Sequence, residues 1–493
     1  MCYLRFDKAQ MTNLQESLYK EMLITNRSGA YCSTTLVGCN IRKYDGLLVI
    51  PVPELDDENH VLLSSLDETI IQHGAEFNLG LHKYQGENYS PKGPKYIVSF
   101  EWEQVPTGTY RVGGVLLKKE LVFDTRIFRL YIRYTLLEAH SATTLRLRPF
   151  LAFRSVRQWT HENSTANRSY DEVPNGIRMC LYQGYPDLYM QTSKESEWHY
   201  CPDWYRGLDY PKERERGYNA SEDLLVPGYF EMPIKKGETI TFSAGVGEID
   251  PNRIDEFLQN EVESIDHRDS FYHCLVNAAH QFRVNKDEES YILAGYPWFK
   301  ARARDTFISM PGLTLAIGES DRFEAYMSTA SKAIYNLIRK EPMSVEIYEM
   351  EQPDTLLWAT WTIQQYAKYT SRKKCYEKYG KLFKDIMDYI WNGQHPNLFL
   401  HENGLLYSNG RDRAVTWMNS QSDGRPIVPR SGYIVEFNAL WYNALKFFEQ
   451  MIEENGQEEY SSLKVTVQKE AEKMARSFKE VFLNEYGYLL DYV

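Results

Sequence analysis

The 493-residue sequence has no run of about 18 apolar residues, so no membrane-crossing helix is expected. Its start, "MCYLRFDKAQMTNLQESLYKEML", has no basic segment followed by an apolar one, so no secretory signal is expected. Basic charge is not in excess. Lys and Arg number 56 against 68 Asp and Glu, a net charge of −12, which argues against a nucleic-acid or anionic-membrane partner. The densest basic run, "KERERG" at 212–217, is interleaved with glutamates and reads as a solvated loop. The seven cysteines (2, 32, 39, 180, 201, 274 and 375) include no CxxC pair. That fits a reducing cytoplasm and neither a zinc site nor a disulfide framework. No metal or nucleotide motif is visible, and no cofactor is expected.

Aromatic residues, by contrast, are abundant: 37 Tyr and 10 Trp. Their flat apolar faces and polar edges suit either a large aromatic core or the stacking of sugar rings.

The first half alternates with a period of two. Phe128, Leu130, Ile132, Tyr134 and Leu136 are separated by Arg129, Tyr131, Arg133 and Thr135, and Leu145 and Leu147 by Arg146 and Arg148. Many such stretches without helical patterns between them predict an antiparallel β-sandwich. The segment 194–225, aromatic, charged and aperiodic, reads as a long loop. The pattern changes near residue 251, and from about 268 onward it is helical, with roughly seven helices. Phe437, Leu440, Trp441, Ala444, Leu445, Phe448 and Met451 mark one apolar helix face, and Leu463, Val467, Met474, Phe478 and Val481 another. A sandwich domain over 1–262 followed by a helical domain over 263–493 is therefore expected.

Three helix entrances combine a carboxylate with an aromatic. In "YPWFKARARDTFISMPGL" (296–313), Pro311 suits the first turn of a helix capped by Ser309, which would place Arg304 and Asp305 just before it. Those two could form a structural ion pair or grip the hydroxyls of a sugar, one donating and the other accepting hydrogen bonds. "EQPDTLLWATW" places Asp354 and Trp358 at a second entrance. "TWMNSQSDGRPIVPRSGYIVEFNALWYNAL" (416–445) places Trp417 and Glu436 at a third.

With "TNRSGAYCSTTLVGCNIRKYDGLLV" (25–49), these segments resemble the prokaryotic glycogen debranching enzymes, across both halves of the chain. The resemblance implies an N-terminal antiparallel β-sandwich, glucan-associated, joined to an (α/α)6-barrel-type helical domain that is an amylo-α-1,6-glucosidase. It implies hydrolysis of the α-1,6-linked branch-point glucose with inversion in cytoplasmic glycogen breakdown, on glycogen or a branched limit dextrin. Arg304 and Asp305 would bind that glucose, Asp354 and Trp358 would line its pocket, and Trp417 belongs to the motif bearing the catalytic acid.

The chain departs from the family pattern in three places. Asn419 stands where the family has an acidic aspartate, and a carboxamide cannot donate a proton at neutral pH. Glu436 is the candidate replacement, with Asp423 also close in sequence. Asp45 stands where a histidine is expected. About seven of twelve barrel helices are visible before the chain stops at "EYGYLLDYV", so an incomplete barrel in a truncated chain is expected, with the water-activating base beyond it. The alternatives are a non-catalytic glucan-binding protein, or a glucoamylase-like hydrolase or disaccharide phosphorylase. No transferase activity is expected, because the sandwich leaves no room for a (β/α)8 barrel.

Overall fold

The computed structural model describes residues 2–86, 88–455 and 461–493. It contains two compact units, 1–284 and 285–493.

In the first unit the period-two segments pair into two large antiparallel sheets. Arg129–Glu138 lies between Val115–Phe123 and Thr239–Val246 in a nine-stranded sheet. Thr143–Ser155 lies between Asn59–Gln72 and Ser221–Ile234 in a ten-stranded one. Alternation decides which side chains meet. Leu130, Ile132, Tyr134 and Leu136 share one core with Leu145, Leu147, Phe230 and Met232, and each such buried side chain is worth about 1.5–3 kcal/mol. Arg146 faces outward and pairs with Glu231 (2.6 Å) and Glu76 (2.8 Å).

Tyr131, on the opposite face from Leu130, is nevertheless fully buried. Helix α1 (Ile254–Glu263) lays Ile254 and Leu258 against it, with Val105 and Val122. Helix α2 (Phe271–Gln281), capped by Ser270, is held by Thr25 Oγ1, which donates to the Gln281 carbonyl at 2.9 Å. The units accordingly divide at 284/285, later than the 262/263 boundary read from the sequence. Helical periodicity reports that a helix has an apolar face, not which body receives it.

Two local expectations fail. The supposed loop at 194–225 is a strand, Glu197–Asp209, a short helix, Pro211–Glu215, and the start of the next strand, Ser221–Ile234. Register shifts between Tyr200 and Asp203 and between Tyr205 and Leu208 break the alternation that would have revealed the strand. In the same stretch Glu213 is fully buried, so "KERERG" is not simply a solvated loop.

The second unit is helical: α3 (Ala303–Leu313), α4 (Ser320–Arg339), α5 (Thr355–Tyr369), α6 (Arg372–Trp391), α7 (Val435–Asn455) and α8 (Ser461–Phe482). With α2 these make seven helices after residue 268 among the described residues. Helices α5 and α6 pack side by side, as do α7 and α8, in the manner of helical hairpins. The α7 face from Phe437 to Met451 is buried as its spacing predicts. Besides the four-residue strand Glu289–Ile292, the strands wholly within this unit are two or three residues long and lie in its longest connection, 392–434, among the described residues.

Candidate active site

Helix α3 begins at Ala303, seven residues before the start expected from Ser309 and Pro311. Ser309 is not its cap, since its hydroxyl donates back to the Asp305 carbonyl at 2.7 Å. Pro311 sits inside the helix and cannot donate to the carbonyl four residues back, on Phe307. That carbonyl instead lies 2.7 Å from Thr362 Oγ1 of α5, nearer to it than the hydroxyl's in-helix acceptor, the Trp358 carbonyl at 2.9 Å.

The earlier start puts Arg304 and Asp305 in the first turn of α3, where neighbours point about 100° apart. Arg304 turns inward and Asp305 faces solvent. Arg304 therefore pairs with Asp354, not with Asp305. Its Nε donates to Asp354 Oδ2 at 2.6 Å and its Nη2 to Oδ1 at 2.9 Å, a bidentate fork. Burial works against the Arg304 charge, but Asp354 more than offsets it, with Glu349 and Asp305 adding to the field. Burial also pushes the Asp354 carboxyl above the usual aspartate range. The Arg304 hydrogen bonds oppose that rise, and the Glu436 charge adds to it.

Asp354 is the residue on which α5 begins. Trp358 follows one turn later, half-buried, its ring centroid 5.6 Å from that of Trp361 and nearly perpendicular to it. Glu436 lies in the first turn of α7 and is gripped by both Nη atoms of Arg430, which is 2% exposed. Arg430 Nη2 also reaches Asp491 Oδ1 at 2.6 Å.

The starts of α3 and α5 thus meet through Arg304 and Asp354, and the Glu436 charge at the start of α7 acts on Asp354. Trp417 and Asn419 lie in the connection between α6 and α7. Trp417 is 64% exposed, and Asn419 is exposed, its backbone N–H bonded to the Trp417 carbonyl at 2.9 Å. No hydrogen bond or ion pair among the described residues ties either side chain to the Arg304–Asp354 pair. Asp423 (φ +50°) and Gly424 (φ +75°) form the two-residue turn of a hairpin joining Gln421–Ser422 to Arg425–Pro426, a conformation those residue types favour.

Two neighbours were not singled out from the sequence. Arg430 was missed because nothing in its spacing links it to Glu436. Glu349 adopts φ +62° beside Arg302, whose Nε lies 3.7 Å from Glu349 Oε1. A glutamate carries no sequence signal for a left-handed backbone.

In the first unit, Asp45 is buried. It accepts from the N–H groups of Ile41 (2.8 Å) and Arg42 (2.9 Å) and from Ser33 Oγ (2.9 Å). The position at which a histidine was expected thus organises its own turn. Burial raises the Asp45 carboxyl to about 6, against the pull of these hydrogen bonds.

No curated protein sequence matches the chain. Among solved structures, a bacterial glucoamylase complexed with acarbose aligns at 11% identity and a TM-score of 0.46, over 97% of this chain and 68% of its own. A family GH92 inverting mannosidase from Bacteroides thetaiotaomicron aligns at 10% and 0.36, over 95% of this chain and 63% of its own. The family model described as "Glycogen debranching enzyme N terminal" matches residues 20–241. The one described as "Amylo-alpha-1,6-glucosidase" matches 275–493. With one model over most of the sandwich unit and the other over the helical unit, the chain belongs to the glycogen debranching enzyme family of glycoside hydrolases.

Proposed function

We propose that the chain hydrolyses the α-1,6-linked branch-point glucose of a branched α-glucan limit dextrin, with inversion, in cytoplasmic glycogen breakdown. The observation that carries this reading is the amylo-α-1,6-glucosidase match over 275–493. The bidentate Arg304–Asp354 pair at two adjoining helix starts is compatible with it. In this reading Asp305 and the free lone pairs of Asp354 accept from glucose hydroxyls, Arg304 fixes Asp354 in place, and Trp358 supplies an apolar wall. Inversion needs a general acid on the leaving oxygen and a base for water, roughly 6.5–9.5 Å apart across the scissile bond. Glu436, gripped by Arg430 at the start of α7, is the candidate for one of these two carboxyl roles.

A second reading, a glucan-binding protein without turnover, is favoured by Asn419, which cannot serve as the acid. Free glucose released from a phosphorylase limit dextrin, followed by NMR, separates the two. Hydrolysis with inversion gives β-glucose as the first product, without added phosphate. A phosphate requirement would indicate a phosphorylase. Retained dextrin binding without glucose release would indicate the binding protein.

A further inference from the structure

A cleft in the first unit, about 130 Å³, lies where the sheet edge meets the segment between α1 and α2, and Trp102, Gln104, Arg268, Asn277 and Gln281 line it. Arg268 is 7% exposed. Its Nη1 donates to the Gln104 carbonyl at 2.8 Å, and its guanidinium carbon lies 4.7 Å from the centroid of the Trp102 ring. No carboxylate lies within ion-pair distance of it among the described residues. Arg154, Arg304 and Arg430 meet Glu222, Asp354 and Glu436, whereas Arg129, also without a carboxylate in ion-pair distance among the described residues, donates to Ser243 Oγ and the Gly247 carbonyl. A buried charge without a counter-ion is costly, and burial depresses Arg268 to about 10. Arg27, exposed and without a carboxylate partner among the described residues, adds a second guanidinium to the lining, and the exposed Asp266 a single carboxylate.

Three side-chain amides in the lining offer acceptors. Gln104 Nε2 is spent on the carbonyls of Val262 (3.1 Å) and Ile265 (2.9 Å). Asn277 Nδ2 is spent on those of Asp266 (3.2 Å) and His273 (2.9 Å). Their side-chain oxygens remain, and Gln281 Oε1 is buried without a hydrogen-bond partner. A planar cation for an oxyanion, acceptors for hydroxyls and an indole wall make a set that a phosphorylated sugar satisfies at once.

We propose that this cleft is a binding site for a phosphoryl group, free or carried on a monosaccharide, with Arg268 as its principal ligand. The proposal stands apart from the hydrolase reading, because binding is measured without turnover.

The test is calorimetric titration of the full chain at low ionic strength with inorganic phosphate, glucose 1-phosphate, glucose 6-phosphate and glucose. Saturable binding of a phosphorylated probe is expected, weakened by salt and reduced about tenfold to a hundredfold in Arg268→Gln. Equal binding of phosphate and sugar phosphate identifies the free anion as sufficient. Binding of the sugar phosphate alone assigns a role to the hydroxyl acceptors. If Arg268→Gln fails to fold by circular dichroism, the rim variant Arg27→Gln carries the test, with a loss of about threefold expected from one exposed charge. No saturable binding, glucose binding as tightly as its phosphates, or unchanged affinity in the folded variant overturns the proposal.

Discussion

The hydroxyl of Thr362 takes the place of a backbone N–H. It donates to the Phe307 carbonyl at 2.7 Å, the group that Pro311 leaves without its helical partner. This bond satisfies the carbonyl that the proline leaves open inside α3, the helix whose first turn carries Arg304 towards Asp354. The arrangement is open to a double-mutant cycle. Thr362→Val leaves a buried carbonyl unpaired and lowers stability by about 1–3 kcal/mol, whereas Thr362→Ser keeps the donor and most of the stability. Adding Pro311→Ala to Thr362→Val restores an N–H at the right place. Chemical denaturation should then recover much of the loss. If the double variant is no more stable than Thr362→Val alone, the substitution of hydroxyl for N–H is wrong.

The Arg304–Asp354 pair separates a structural role from a binding one. Arg304→Met leaves a buried carboxylate alone and should cost about 3–5 kcal/mol. Arg304→Met with Asp354→Leu removes both charges and should regain most of that stability. Glucan binding, measured by affinity electrophoresis, should stay lost in the stable double variant if the pair holds the sugar. Unchanged binding there would make the pair purely structural.

Asn419 is tested by gain of function. If Asn419 occupies the place of the general acid, as the family resemblance implies, Asn419→Asp should raise glucose release from limit dextrin by about 10²–10⁴-fold. Glu436→Gln, measured beside it, should lower stability through the loss of the Arg430 pair. Should Asn419→Asp do nothing while Glu436→Gln abolishes hydrolysis, the acid is Glu436.

Asp45 predicts a pH dependence of the first unit. Its folded-state pKa, about 6, lies above the ordinary 3.8, so the folded state holds the proton more tightly. Its contribution to stability is therefore greatest below about pH 4 and is lost as pH rises through about 6. Across that window the loss is about 3 kcal/mol. Asp45→Asn keeps an acceptor for the N–H groups of Ile41 and Arg42 but cannot ionise. Thermal unfolding at pH 4.5 and pH 7 should show the native chain losing ground to the variant at the higher pH. Parallel profiles would rule the account out.

The sequence by itself determined the architecture, because hydrophobic periodicity is local. Alternation at 128–136 and 145–147 fixed which residues enter the sandwich core, and the spacing from Phe437 to Met451 fixed the buried face of α7. It also carried the motifs that placed Arg304, Asp354, Trp358 and Glu436 at helix starts. What it could not decide were the partners. The strand Glu197–Asp209 was hidden because its bulges erase the period-two signal, and the sheet beside it supplies the register. The start of α3 was misplaced because Pro311 sits well inside the helix, where the carbonyl it leaves open is met by a hydroxyl 51 residues away, on Thr362. Asp354 rather than Asp305 takes Arg304, and Arg430 takes Glu436. Charges are matched through space, where burial sets their strength, and only the tertiary structure brings those pairs within reach of one another.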